Sequence, residues 1–201
     1  MESALREGGG APGLRLIETM LWDGARAPRW PLHTARLQRS ARLLGWDCPD
    51  LAPMGPAHPA RLRLTLDRGG AVRWETHPLP PGKPQWRVGL AATRLFSGDP
   101  WLRVKSTRRE VYDQARAALP AGLDELLFLN ERDEICEGTI TTVFFDRGQG
   151  LRTPPLACGL LPGVLRAELA CPEQVLLAED LPRVRLWVGN ALRGLIPAEI
   201  V

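Results

Sequence analysis

Only two of the 26 Lys and Arg residues in this chain are lysines, Lys83 and Lys105. Lys105 stands in Trp101-Leu-Arg-Val-Lys-Ser-Thr-Arg-Arg109, between a strand-like run and a helix-like one. An arginine guanidinium stays protonated in a protein and cannot form an imine, whereas a lysine amine can. Burial, or the adjoining Arg108 and Arg109, would favour the neutral, nucleophilic form. Three later segments share a theme. Cys136-Glu-Gly-Thr-Ile-Thr-Thr142 sets the carboxylate of Glu137 beside a glycine that permits close backbone approach to a ligand. Gly159-Leu-Leu-Pro-Gly-Val-Leu-Arg166 is a glycine-rich loop entering a helix, with the amides of Val164 and Leu165 as first-turn donors suited to a phosphate. Gly189-Asn-Ala-Leu-Arg-Gly194 is a small polar break that could add a further anion donor at Asn190. Amine, carboxylate and phosphate cradle are the groups that pyridoxal 5'-phosphate requires: an imine-forming lysine, an acid for the ring nitrogen and donors for the phosphate.

These groups need elements to hold them. The stretch Pro78-Leu-Pro-Pro-Gly-Lys-Pro-Gln85 reads as a linker, dividing the chain into lobes at 1–85 and 86–201. Before it come a strand at Leu14–Trp22, an amphipathic helix at His33–Leu44 with Leu37, Ala41 and Leu44 on one face, and a hairpin. In the hairpin Leu62–Leu66 alternates, Asp67-Arg-Gly-Gly70 turns and Ala71–Thr76 returns. After the linker the pattern predicts a strand at Trp86–Ala92 and a helix at Thr107–Leu119 with Val111, Ala115 and Ala118 inward. Short strands follow within Asp124–Phe145, then a helix at Val164–Ala170 and strands at Gln174–Leu177 and Val184–Val188. The pattern is α+β with two lobes.

At 201 residues and 44% hydrophobic, the chain can bury a real core. The formal charge of +3, with arginines scattered among acids, favours an ordinary solvated surface over nucleic-acid binding. No apolar run approaches the roughly 18 residues of a membrane span, and the first ten residues lack an apolar signal core. Cys48, Cys136, Cys158 and Cys171 are widely spaced without a C-x-x-C pair, which argues against a zinc or other metal site and against a disulfide framework. A cytoplasmic setting is expected.

The runs Lys105-Ser-Thr-Arg-Arg, Ile135-Cys-Glu-Gly-Thr-Ile-Thr-Thr-Val-Phe144, Leu160-Leu-Pro-Gly-Val-Leu-Arg166 and Gly189-Asn-Ala-Leu-Arg-Gly together resemble the class IV pyridoxal-phosphate enzymes. That family holds branched-chain aminotransferases, D-amino-acid aminotransferases and 4-amino-4-deoxychorismate lyases. In the first lobe, His33-Thr-Ala-Arg-Leu-Gln-Arg-Ser-Ala41 resembles the family's H-x-x-R-L-x-x-S-A helix, and Leu16-Ile-Glu-Thr-Met20 its opening strand. The resemblance implies a small α/β lobe plus a larger, β-rich, barrel-like lobe, with cofactor between them in a homodimer. It makes Lys105 the Schiff-base lysine and Glu137 the partner of the pyridine nitrogen. It places the phosphate on Arg36, on the amides of Val164 and Leu165, and on Asn190, where relatives have Thr or, in the lyase-like branch, Asn.

The chain departs from its relatives in places. Many have Thr at the position of Leu165 and aminotransferases have Asn near Thr142. Aminotransferases also have Tyr five residues after the lysine, where this chain has Glu110 and its sole tyrosine is Tyr112. Tyr112 is read either as reaching the cofactor's ring hydroxyl or as packing its helix. The Lys105 and Asn190 segments resemble the aminodeoxychorismate-lyase-like branch, which implies β-elimination releasing pyruvate with 4-aminobenzoate formed, a step of folate biosynthesis. Arg94, Arg109 and Arg193 are candidates for the carboxylates of an amino-acid-like substrate. The alternatives are an aminotransferase for a branched-chain or D-amino acid, a cofactor-binding protein without turnover, and a mildly basic binding module with no cofactor.

Overall fold

The computed structural model describes residues 2–201. The chain divides into two compact units. One comprises the residues up to Pro81 together with Arg103–Arg108; the other comprises Gly82–Leu102 and Arg109–Val201.

The first unit is built from helix α1 (Glu2–Gly8), strand β1 (Leu16–Trp22), helix α2 (Trp30–Leu44) and strands β2 (Ala60–Leu66) and β3 (Val72–His77). The strands form an antiparallel sheet in the order β1-β2-β3. Leu16, Glu18, Met20 and Trp22 point to one face of β1 at period two and all are buried. On α2 the buried residues His33, Arg36, Leu37, Ser40, Ala41 and Leu44 follow the three-four spacing of one helix face. The helix opens on Pro31, whose missing N–H costs nothing in the first turn, and closes at Gly45 in the left-handed conformation with φ 68°. The Asp67–Gly70 turn is tied by the Asp67 carboxylate accepting from the amides of Gly69 and Ala71.

The second unit carries β4 (Trp86–Leu90), α3 (Glu110–Ala117), β5 (Glu125–Leu129), β6 (Ile135–Gly138), β7 (Thr142–Asp146), α4 (Val164–Leu169), β8 (Arg185–Asn190) and β9 (Gly194–Ile200). Strands β4 to β9 close a six-stranded barrel in that order, with β4 parallel to both β5 and β9. All five residues of β5 and of β7 are buried, as expected of strands covered on both faces. Leu127, Leu129, Val143, Phe145, Val188 and Ile196 belong to one apolar cluster. Phe128 and Cys136 belong to another, against which Val111, Tyr112 and Ala115 of α3 pack.

Two expectations are corrected here, and one strand was missed. The lysine segment was expected in the second lobe, but residues 103–108 group with the first unit. The Ile17 amide donates to the Lys105 carbonyl at 2.9 Å, the Thr107 amide donates to the Arg15 carbonyl at 2.8 Å, and Leu16 bridges Ser106. Residues 105–107 thus extend the edge of β1, a pairing too short to leave a periodic signal. Gln174–Leu177 is not a strand; only an isolated bridge from Leu177 to Glu134 forms. Strand β9 was not anticipated, because Pro197 interrupts its pattern; Pro197 pairs with Trp187 of β8, and the β4 ladder begins one residue later at Ala198.

Candidate active site

In the second unit one rung of the barrel gathers most of the residues in question. Glu137 pairs with Thr142 across β6–β7, and Thr142 pairs with Gly189 across β7–β8, next to Asn190. The start of α4 lies against this rung. A Cβ on Gly163 would sit 2.6 Å from the Thr142 hydroxyl, and one on Gly189 would sit 2.7 Å from Leu165 Cδ2 and 2.5 Å from the Gly194 carbonyl. Both glycines therefore let backbone segments approach more closely than a side chain would allow. Glu137, Val164, Leu165 and Asn190, inferred separately from the sequence, come together here.

Glu137 is buried. The Tyr112 hydroxyl donates to its Oε1 at 2.7 Å and the Leu161 amide donates to its Oε2 at 3.2 Å. The Tyr112 ring meets Phe128 edge-on with centroids 5.2 Å apart, and the Arg109 guanidinium stands 5.8 Å from its centre. Burial first, and then the Glu137 charge, push the phenol's proton affinity well above its ordinary range, so it remains a donor. Tyr112 thus packs its helix and also hydrogen-bonds an acid of the site.

The turn after Glu137 rests on a residue that sequence reasoning missed. Glu125, fully buried, accepts from the amides of Leu126, Thr139 and Ile140 and from the hydroxyls of Thr139 and Thr141, with Arg116 3.5 Å away. Gly138 is obligatory in this turn, since a Cβ there would lie 2.8 Å from the Glu125 carboxyl carbon. Asn190 closes the neighbouring turn. Its Oδ1 accepts from the amides of Leu192 and Arg193, and its Nδ2 donates to the Ile140 carbonyl at 3.2 Å.

Lys105 and Arg36 lie in the first unit. Lys105 is half-buried on the β1 edge. Arg36 donates through Nε and Nη2 to the two oxygens of Glu18 at 2.8 and 2.6 Å, and His33 Nδ1 lies 2.6 Å from the same carboxylate. Burial alone would raise the Glu18 carboxyl's proton affinity; the Arg36 charge and the hydrogen bonds from Arg36 and His33 outweigh it and hold the group at about 2. Glu18 and His33 were not anticipated as partners. The signal was present: an acid between Leu16 and Met20 on the core-facing positions of a strand demands a cation, and His33 and Arg36 share a helix face.

The three arginines considered for substrate carboxylates have partners within the second unit. Arg94 donates to the Asn130 carbonyl and to Asp133, Arg109 donates to Asp113 and to the Thr139 carbonyl, and Arg193 stands over the Trp86 ring at 5.2 Å. The second lysine, Lys83, is exposed and pairs with Asp124. Among the described residues no group of three or more His, Cys, Asp or Glu side chains could hold a metal ion, and no helix is long and apolar enough to cross a membrane.

The donor set suits pyridoxal phosphate. A buried carboxylate that accepts from the Tyr112 hydroxyl and the Leu161 amide fits a protonated ring nitrogen, and the α4 first-turn amides beside the small residues Gly163 and Gly189 fit a phosphate. The comparisons with known proteins agree. The amino-transferase class IV family profile matches residues 15–201. The chain belongs to that family. This class IV chain is 43% identical to a Mesorhizobium loti structure provisionally described as an amino-acid aminotransferase, with a TM-score of 0.87 over 94% of this chain and 100% of that one. It is 28% identical over 167 residues to a Schizosaccharomyces pombe protein provisionally named aminodeoxychorismate lyase, covering 77% of this chain and 72% of the other. The Pseudomonas aeruginosa 4-amino-4-deoxychorismate lyase shares the fold at 21% identity and a TM-score of 0.78, over 92% of this chain and 82% of that one. The class IV enzymes are pyridoxal-phosphate-dependent aminotransferases or lyases, and a Mycobacterium tuberculosis structure of this fold is described in its PLP-bound form.

Proposed function

We propose that this class IV enzyme is a lyase of the aminodeoxychorismate-lyase kind, eliminating pyruvate and leaving 4-aminobenzoate, and that it works as a homodimer. The observation that carries the site assignment is the buried Glu137 carboxylate on the same barrel rung as Thr142 and Gly189, beside the start of α4. In this reading the ionised Glu137 carboxylate accepts a hydrogen bond from the protonated ring nitrogen and so keeps the proton on that nitrogen. Val164 and Leu165 offer their first-turn amides to the phosphate, and Asn190 and Arg36 are its further partners. Lys105 would hold the cofactor through its amine, and its Nζ, when free, would take the proton from the substrate's α-carbon. When bound, the cofactor delocalises the electron pair left by that proton. Arg94 and Arg109 would meet a substrate carboxylate in competition with their present acceptors, and Arg193 from its place over the Trp86 ring.

The likeness of the Lys105 and Asn190 segments to the lyase branch, and the S. pombe relative, support elimination. The Mesorhizobium relative favours the second reading, an aminotransferase for a branched-chain or D-amino acid. A single pair of assays separates them. The purified protein is expected to show a cofactor absorbance band and to release pyruvate from aminodeoxychorismate with no keto acid present. Amino-group exchange that requires a keto acid, without pyruvate release, would assign the aminotransferase reaction instead. Lys105→Ala is expected to lose the borohydride-trappable cofactor linkage entirely; modification at Lys83 would overturn the site.

A further inference from the structure

Tyr112 is the chain's only tyrosine, and it stands seven residues after Lys105 on the helix that flanks β5 and β6. Its hydroxyl is directed at a side chain of the site. It donates to Glu137 Oε1 at 2.7 Å while the Leu161 amide donates to Oε2. The ring behind it is wedged edge-on against the fully buried Phe128, so the phenol has little freedom to swing away. Arg109 completes the arrangement: it lies over the Tyr112 ring and donates to the Thr139 carbonyl, which ties the start of α3 to the turn that follows Glu137.

We propose that Tyr112 is a positioning residue for the reaction, whose hydroxyl holds the Glu137 carboxylate ionised and in one orientation. The inference rests on Glu137 being the acid that serves the ring nitrogen. A hydrogen bond to the charged form of an acid favours that form, and a buried one does so most, because no water competes for the oxygen. Phenol and carboxylate cannot both be anionic at this distance, so at neutral pH the proton stays on Tyr112. The other titratable groups acting on the phenol are Cys136, from β6, whose thiol is pushed up by burial and by Glu137 and stays neutral, and the guanidinium of Arg109. Tyr112 therefore sets how strongly Glu137 competes for the ring proton, and through it how good an electron sink the site offers.

The test begins on the protein without cofactor, so that it does not depend on turnover. The glutamate side-chain carboxyl resonances are titrated by carbon-13 NMR, with Glu137→Gln identifying the one of interest. Tyr112→Phe removes the hydroxyl and keeps the ring, and should raise the Glu137 midpoint by about one pH unit, a tenfold gain in proton affinity. Replacing the sole tyrosine with 3-fluorotyrosine gives a more acidic phenol and a stronger donor, and should move the midpoint the other way; this arm needs no substitution that might unfold α3. With cofactor bound, Tyr112→Phe should shift the pH midpoint of the cofactor absorbance band and lower kcat with little change in KM. A Glu137 midpoint indifferent to both replacements overturns the proposal. If both replacements move the Glu137 midpoint but the parent protein takes up no cofactor, the clamp on the acid stands and it is the proposed function that fails.

Discussion

Each unit buries an acid beside the residues assigned to catalysis, and the two are satisfied in opposite ways. Glu18 in the first unit is held by cationic or ionisable side chains, Arg36 through two hydrogen bonds and His33 through one. Glu125 in the second is caged chiefly by neutral donors, three backbone amides and two hydroxyls, with one arginine at 3.5 Å. An ion pair concentrates its stabilisation in a few long side chains, and removing one of them strands a buried charge. A cage of amides and hydroxyls spreads the interaction over the backbone it organises, so its loss should be felt as local loosening more than as collapse.

That contrast can be broken most severely at Arg36. Arg36→Ala leaves Glu18 buried without its main partner and should destabilise the first unit by about 3–5 kcal/mol, measured by urea unfolding. It should also weaken cofactor binding in a titration of the apo protein. A variant as stable as the parent would mean that Glu18 finds another partner or takes up a proton at little cost.

Acid comes next. Glu18 is lowered from an ordinary 4.5 to about 2. For a depressed acid the stabilisation is fully present above the ordinary value and is lost as pH falls through the folded one. Between pH 4.5 and 2 the protein should therefore give up on the order of 3 kcal/mol from this group, and Glu18→Gln should flatten that part of the stability profile. An unchanged acid limb in the variant would remove Glu18 from the account.

The smallest effect is expected from the neutral cage. Glu125→Gln keeps the shape but turns one acceptor into a donor facing amides and hydroxyls, for a cost of about 1–3 kcal/mol. Hydrogen exchange should quicken at the amides of Thr139 and Ile140 well before the barrel opens. Faster exchange throughout the barrel would show that the cage is not local.

The elements with clean periodicity were legible in the sequence. The stripe of α2, the β2–β3 hairpin with its Asp-Arg-Gly-Gly turn and the helix at Val164 all stand within a few residues of where the pattern puts them. The site residues of the barrel were legible as separate motifs, but not as one rung, because a rung is a matter of register across β6, β7 and β8 and no local pattern encodes it. Glu125 was hidden for a related reason: its five donors lie at its own neighbour and 14 to 16 residues downstream. The first-unit address of Lys105 was hidden because two backbone hydrogen bonds to a strand nearly 90 residues earlier leave no trace in composition.

That address bears on how the protein could be taken apart. A cut in the proline-rich linker would leave one piece with β1 but no Lys105, and another with Lys105 but no strand to hold it. Lys105 belongs by sequence to one half and by folding to the other. Neither half could be inherited, swapped or expressed as a working module, and the two pieces would have to be supplied together to rebuild it.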